Sequence, residues 1–399
     1  MTTTFPSPGE GNEIEVTATL SDQYGNTSAE GSDSATVDTK AGDTNAAPVV
    51  EISEDSNDDG VISSGELSGD IDVKVTLPAG AVAGDTITVS NGTTSTPIVL
   101  DASDITAGNV TTTFPSPGEG NEIEVTATLS DQYGNTSAEG SDSATVDTKA
   151  GDTNAAPVVE ISEDSNDDGV ISSGELSGDI DVKVTLPAGA VAGDTITVSN
   201  GTTSTPIVLD ASDITAGNVT TTFPSPGEGN EIEVTATLSD QYGNTSAEGS
   251  DSATVDTKAG DTNAAPVVEI SEDSNDDGVI SSGELSGDID VKVTLPAGAV
   301  AGDTITVSNG TTSTPIVLDA SDITAGNVTT TFPSPGEGNE IEVTATLSDQ
   351  YGNTSAEGSD SATVDTKAGD TNAAPVVEIS EDSNDDGVIS SGDGDIDVK

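Results

Sequence analysis

Asp55, Asn57, Asp59, Gly60 and Glu66 fill every constrained position of the run D-x-[DN]-x-[DN]-G-x5-E. Each residue type has a chemical reason to stand where it does. Asp55, Asn57 and Asp59 are short oxygen-bearing side chains on alternate positions, able to converge on one hard cation. Gly60 permits the sharp turn around the ion, and Val61 offers its carbonyl. Ser63 contributes directly or through water, and Glu66 is long enough to return as a bidentate ligand from the twelfth position. Ile62 is the apolar residue that pins the loop to a core.

The run recurs twice in full. The second copy has Asp164, Asn166, Asp168, Val170, Ser172 and Glu175 as its ligands, and the third has Asp273, Asn275, Asp277, Val279, Ser281 and Glu284. A fourth begins with Asp382, Asn384, Asp386 and Val388 but carries Asp393 where glutamate is expected, which predicts a weaker or absent site. Clusters of Asn, Asp and Gly are also ordinary polar turns. The complete pattern in so acidic a chain favours calcium.

The chain has 399 residues, 73 of them acidic against 8 lysines, for a net charge of −65; Arg, His, Cys and Trp are absent. Without His or Cys there is no Ser-His-Asp or Cys-His nucleophile system, which argues against an enzyme. Tetrahedral zinc, haem and iron–sulfur sites are excluded by the same lack of ligands. So few cations cannot neutralise phosphates, so nucleic acid is not a partner. Anionic membrane surfaces are disfavoured likewise, and no stretch approaches the ~20 apolar residues of a membrane span. Hard divalent cations are the natural partners. With no disulfide available, calcium is the evident staple for a small core.

The elements that must hold these loops repeat with them. Glu51 recurs as Glu160, Glu269 and Glu378, a period of 109 residues. That is too long for a solenoid turn and suits one autonomous β domain per repeat. Within residues 48–148, period-2 alternation predicts seven strands at 49–52, 70–77, 85–90, 97–100, 109–114, 121–129 and 142–147. Ile71, Val73, Val75 and Leu77 would face inward, as would Ile87 and Val89, Val110, Thr112 and Phe114, and Ile123, Val125, Ala127 and Leu129. The core is expected to hold about a dozen aliphatic residues, one Phe and one Tyr. No helix of consequence is expected. This is an all-β chain of tandem immunoglobulin-like β-sandwiches, lacking the disulfide and tryptophan of antibody domains.

Whole repeats are expected at residues 48–148, 157–257 and 266–366. Residues 1–39 read as the partial C-terminal part of a repeat, with its last three strands, and residues 375–399 as a partial N-terminal part. The stretch 148–157 reads by composition as a short linker able to flex. Carboxylates on both sides of each junction could meet around a further ion and stiffen it. The candidates are Asp38, Asp43 and Asp131; Asp147, Asp152 and Asp240; and Asp256 and Asp261. At the 148–157 junction, the Asp131 turn and the Asp164 loop are expected nearby.

The array resembles a known family. Near-identical tandem units with an Asp131-Gln132-Tyr133-Gly134-Asn135 turn, a Ser143-Ala144-Thr145-Val146-Asp147-Thr148 strand and an acidic loop are similar to the extender repeats of giant bacterial RTX or biofilm-associated adhesins, of the ice-binding adhesin type. The G-G-x-G-x-D nonapeptides that give the RTX group its name are absent. The resemblance implies type I secretion, a place at the bacterial cell surface, and immunoglobulin-like domains with calcium at or near their joints. It further implies a monomeric linear rod that holds a distal adhesive domain away from the cell, without inserting in the membrane. Strands of about eight residues at 3.3 Å each would make one repeat about 40 Å long. An alternative is a repetitive ligand-binding protein for ice or carbohydrate, motivated by Thr111-Thr112-Thr113, Thr93-Thr94-Ser95-Thr96 and Thr86-Ile87-Thr88. Alternate threonines of one strand face opposite sides, so strand propensity explains them better.

Overall fold

The computed structural model describes residues 2–382, 387–389 and 396–399. The chain divides into two compact units, one of residues 1–160, 183–221 and 234–251, the other of residues 161–182, 222–233 and 252–399. One whole repeat lies inside each unit, at 48–148 and at 266–366, and these two show the architecture.

Upstream of the first whole repeat, β1 (Glu13–Ala18) and β2 (Gly31–Thr36) form an antiparallel pair. Among the described residues of 1–39 the expected third strand is not formed. Its counterpart in a whole repeat pairs with Ile71–Thr76, and residues 1–39 contain no equivalent of that partner. Phe5 is left exposed.

Residues 48–148 then supply β3 (Val49–Ile52), β4 (Val61–Ile62), β5 (Ile71–Thr76), β6 (Thr86–Ser90), β7 (Ser95–Val99), α1 (Ala102–Ala107), β8 (Asn109–Phe114), β9 (Glu122–Ser130) and β10 (Gly140–Val146). They make a three-stranded sheet in the order β3-β5-β8 and a five-stranded sheet in the order β4-β10-β9-β6-β7. All pairs are antiparallel except β4 with β10, where Val61 stands opposite Thr145. This is the strand order of an immunoglobulin-like sandwich.

One core lies between the sheets. Ile71, Val73 and Val75 from the first sheet meet Ile87, Val89, Val125, Ala127 and Leu129 from the second, with Phe114 as the largest buried side chain. Strict alternation puts these residues inside and Asp72, Glu122 and Glu124 outside. On β8, Thr111 and Thr113 point to solvent and Thr112 is half-buried. The same elements recur in 266–366, with sheets Val267–Ile270, Ile289–Thr294, Asn327–Phe332 and Val279–Ser281, Gly358–Asp365, Glu340–Ser348, Thr304–Ser308, Ser313–Val317. That repeat has its own equivalent core.

Four features of the whole repeats and their linkers differ from the sequence expectation, the first being that Val61–Ile62 forms an eighth strand where seven were expected. Tyr133 is 71% exposed and is no part of the core. The helix α1 exists because Asp101 caps the backbone N–H groups of Ser103 and Asp104 while Asp104 caps that of Asp101, and Gly108 ends the helix in the left-handed conformation. The linker is docked on the repeat that follows it. Ala41 is fully buried, its N–H donates to Asn45 Oδ1 at 2.7 Å, and Asp43 N–H donates to Ala79 O at 2.9 Å. Ala150 and Ala259 are buried in the same way.

Among the described residues of 375–399 there is one isolated bridge, Ile379 with Val398, in place of the expected strand, and Val376 is exposed. A β3-type strand needs a β5-type partner along its whole length, and the shortened segment offers little of one.

Candidate metal centre and joint

The acidic loop occupies the crossing from one sheet to the other. The chain leaves the three-stranded sheet after Ile52 and enters the five-stranded sheet at Val61, so residues 53–60 bridge the end of the sandwich. Ile62, fully buried, anchors the return.

Inside the loop the candidate ligands hold its shape. Asp55 Oδ2 accepts from Gly60 N–H at 2.8 Å and Asp55 Oδ1 from Asp59 N–H at 3.2 Å. Asn57 Oδ1 accepts from Asp59 N–H and Asp59 Oδ1 from Val61 N–H, each at 2.9 Å. Gly60 adopts φ +84°, a left-handed turn that a side chain would strain. Thr145 N–H donates to Gly60 O and Asp147 N–H to Ile62 O, so strand alternation turns the intervening Val61 carbonyl to the opposite edge. Glu66 closes the mouth. Its Oε1 accepts from Ser56 N–H and Oγ at 3.2 and 3.0 Å, and its Oε2 from Ser63 N–H and Oγ at 3.0 and 2.8 Å.

Burial works against ionisation of Glu66, but the bonds from Ser63 and Ser56 outweigh it and hold the carboxyl below its ordinary range. Glu175 behaves alike, and Glu284 is lowered chiefly by the Ser281 backbone. The loops starting at Asp164 and Asp273 repeat these bonds. In the fourth, Asp382 Oδ2 accepts from Gly387 N–H at 2.8 Å and Val388 is exposed. Asn384, Asp386 and Asp393 lie outside the described residues.

The donor set fits calcium in kind, being all oxygen from carboxylate, amide and backbone carbonyl. Among the described residues no three carboxylates stand together as a ready metal cluster. A cation would have to draw Asp55, Asp59 and Glu66 inward from their present partners. Glu54, which precedes the loop, is 6% exposed and accepts from Ser68 N–H at 2.5 Å. It braces the loop's two ends, a role its unremarkable place before Asp55 did not reveal.

The junction residues gather as follows. Asp147, Lys149, Asp152, Asp194 and Asp240 line one hollow, and Asp256, Lys258, Asp261, Asp303 and Asp349 line its counterpart. Asp38, Lys40, Asp43, Asp85 and Asp131 line a third. The expectation for the 148–157 junction needs correction. The turn there is Asp240's, from the following repeat, and not Asp131's, which belongs to the 38–48 junction. The acidic loop that reaches this junction belongs to the preceding repeat, not to the Asp164 run, because β4 runs parallel to the outgoing β10.

Sequence reasoning also missed Asp194, Asp303 and the asparagines of the D-Q-Y-G-N turns. Asn244 is fully buried. Its Nδ2 donates to Asp147 O at 2.9 Å and to Asp240 Oδ2 at 2.7 Å, and its Oδ1 accepts from Ser64 N–H at 2.8 Å. Asn353 does the same with Asp256 O, Asp349 Oδ2 and Ser173 N–H.

Burial pushes Asp147 up, helped by the charges of Asp240 and Glu119, and pushes Asp256 up with help from Asp349 and Glu228. Asp194 and Asp303 are raised by burial and by the same turn aspartates. A raised carboxyl disfavours the docked, ionised state, so docking gains as pH falls through the raised value. The lowered glutamates act oppositely, and their support for the loops is lost below their ordinary range. In calcium-free buffer, acidification from neutral pH through the raised carboxyl range should therefore narrow the distance distribution between labels placed across a joint. Asp147→Asn with Asp194→Asn should abolish that response at their joint. An unchanged response in this variant would assign it to general charge neutralisation.

No protein-family model matches the chain, and no curated protein matches it in sequence. Solved structures similar to it include one of a 1.5-MDa bacterial ice-binding adhesin, reported for host cell surface retention, at 20% identity and TM-score 0.38, covering 80% of this chain and 97% of the other. Another is a tetra-tandem repeat from the extending region of a large adhesion protein, at 18% identity and TM-score 0.28, covering 89% and 82%. A third comprises fibronectin(III)-like modules from Clostridium thermocellum, at 16% identity and TM-score 0.28, covering 52% and 95%. The immunoglobulin-like assignment stands on strand order and register alone.

Proposed function

We propose that this chain is a calcium-stiffened extender, the stalk region of a bacterial cell-surface adhesin that carries a distal adhesive domain away from the cell. The observation that carries the reading is the joint. Asn244 and Asn353, 109 positions apart, make the same set of bonds to the outgoing strand and acidic loop before them. Identical repeats joined identically add length without adding specificity, which is what a spacer requires. A non-catalytic role agrees with a chain that has no His, Cys or Arg.

Calcium supplies the regulation in this reading. The loops and hollows carry much of the acidic charge that would otherwise push neighbouring repeats apart, and a divalent ion offsets it. Outside a cell the sites would fill. At low cytosolic calcium the chain would remain loose and exportable.

Small-angle scattering on the whole chain, first in millimolar calcium and then in chelator, tests this directly. The expected result is an extended particle of about 120 Å for three whole repeats at 3.3 Å per strand residue, with a distance distribution that broadens on chelation. Identical curves in both conditions would remove calcium from the stiffening.

A further inference from the structure

We propose that the buried side chain of Asn244, and of Asn353 one repeat later, couples calcium occupancy of each acidic loop to the orientation of the repeat that follows it. The inference rests on the calcium reading of the loops and goes beyond it, because it names the residue that transmits occupancy.

Asn244 belongs to one repeat by sequence and bonds into the preceding one as well. One donor hydrogen satisfies Asp240 in its own turn, and the other reaches Asp147 O at the exit of the preceding repeat. Its oxygen takes the N–H of Ser64. A primary amide has two donor hydrogens and an acceptor oxygen, and all are used. Aspartate would lose both donors, and glutamine would overshoot by a methylene.

Ser64 is the significant partner. It is the tenth residue of the acidic run, between Ser63 and Glu66, which already grip each other through Glu66 Oε2. An ion that draws in Glu66 and Ser63 fixes the direction of the N–H between them. That N–H is the one the next repeat grasps.

Two contrasts within the chain support the assignment. At the first junction the preceding segment has no acidic loop. There Asn135 is only half-buried, and its contacts to Asp38 O and Oδ1 lengthen to 3.4 and 3.3 Å. The third loop has no counterpart of Asn244, since no further D-Q-Y-G-N turn occurs past Asn353 in this sequence. Ser281 there is exposed, whereas Ser63 and Ser172 are 9% and 8% exposed.

Coupling between two sites is reciprocal: if occupancy favours the latch, the latch must favour occupancy by the same factor. The test is calorimetric titration of calcium into whole chains that keep one intact loop. The other loops are silenced by Glu→Gln at position twelve and, in the fourth, by Asp382→Asn. With only the Asp55 loop intact, Asn244→Ala should weaken binding about five-fold or more. With only the Asp164 loop intact, the same Asn244→Ala should change nothing, although that loop shares a repeat with residue 244. Asn353→Ala should reverse the pattern. The Asp273 loop should bind more weakly than the other two from the start.

Weakening of the Asp164 loop by Asn244→Ala would mean local damage to its own repeat and would overturn the coupling. Equal affinities in all three loops, insensitive to both substitutions, would also overturn it while leaving the calcium reading intact. Absence of calcium binding in the unsubstituted chain would overturn both, a result distinct from the other two.

Discussion

Removing calcium is expected to lower the melting midpoint of the whole repeats by roughly 10 to 20 °C. The figure follows from linkage. At free calcium about 100-fold above a site's dissociation constant, one filled loop stabilises its repeat by about 2.7 kcal/mol. For a domain of about 100 residues each kcal/mol moves the midpoint by about 4–8 °C. A small core is what would make such a term matter. Its core has one phenylalanine among Val, Ile, Leu and Ala, with no disulfide to restrain the unfolded chain. The loop also spans the crossing between sheets, so closing it fixes β3 to the five-stranded sheet through the β4 it leads into. Glu66→Gln, Glu175→Gln and Glu284→Gln together should leave a fold whose midpoint is nearly the same with and without calcium. Differential scanning calorimetry in calcium and in chelator reads both effects. A midpoint indifferent to chelation in the unsubstituted chain would refute the loops as stabilising sites.

The sheets were legible in the sequence because alternation is a local property. Ile71, Val73 and Val75, or Ile123, Val125, Ala127 and Leu129, announce a buried face in a few consecutive residues, and the structure buries them. The acidic loops were legible as loops because ligand type and spacing are written in one short run. What escaped was either too short for a period or dependent on distant partners. The six residues of α1 show no helical repeat, and only the Asp101–Asp104 reciprocal cap betrays them. Val61–Ile62 is a strand of two residues, defined by β10 more than eighty positions on. Tyr133 looked like core because it is aromatic, yet its turn projects it outward. Asn244 could be read from sequence as a turn former, and it is one, since Asp240 Oδ1 accepts its N–H. Its partner Ser64 lies 180 residues away, so nothing local distinguishes a latch from a turn. The linker misled for a similar reason. Gly and Ala suggest flexibility, but small side chains are also what lets a backbone lie flat on its neighbour. Gly42 shows this, since a Cβ there would lie 2.7 Å from Ala79 O.

The tightest such approach gives the second large effect. A Cβ on Gly140 would stand 1.9 Å from Pro48 O and 3.0 Å from its carbonyl carbon. Neither neighbour is the end of a flexible side chain. Both belong to the backbone that carries the linker into β3, so relief requires moving the linker or the start of β10. Overpacking of well-filled sites costs typically 1–3 kcal/mol, and a clash with backbone belongs at the upper end, so Gly140→Val should destabilise its repeat by about 3 kcal/mol. The midpoint of that repeat should fall by about 12–24 °C. Gly249→Val and Gly358→Val should act alike, their Cβ positions meeting Pro157 O and Pro266 O at 1.9 Å. Gly178→Ala is the control, because nothing lies within 4 Å of that Cβ, and its cost should stay within about 0.5 kcal/mol. In a chain of like repeats, Gly140→Val should split one early transition from an otherwise unchanged melt. A single unsplit transition at the original midpoint would show that the linker does not dock against β10. The same substitution should also loosen the joint before it. The pushed segment is the one that buries Ala41 and presents Asp43 to Ala79 O, so a strained Pro48 withdraws the seat on which the preceding segment rests.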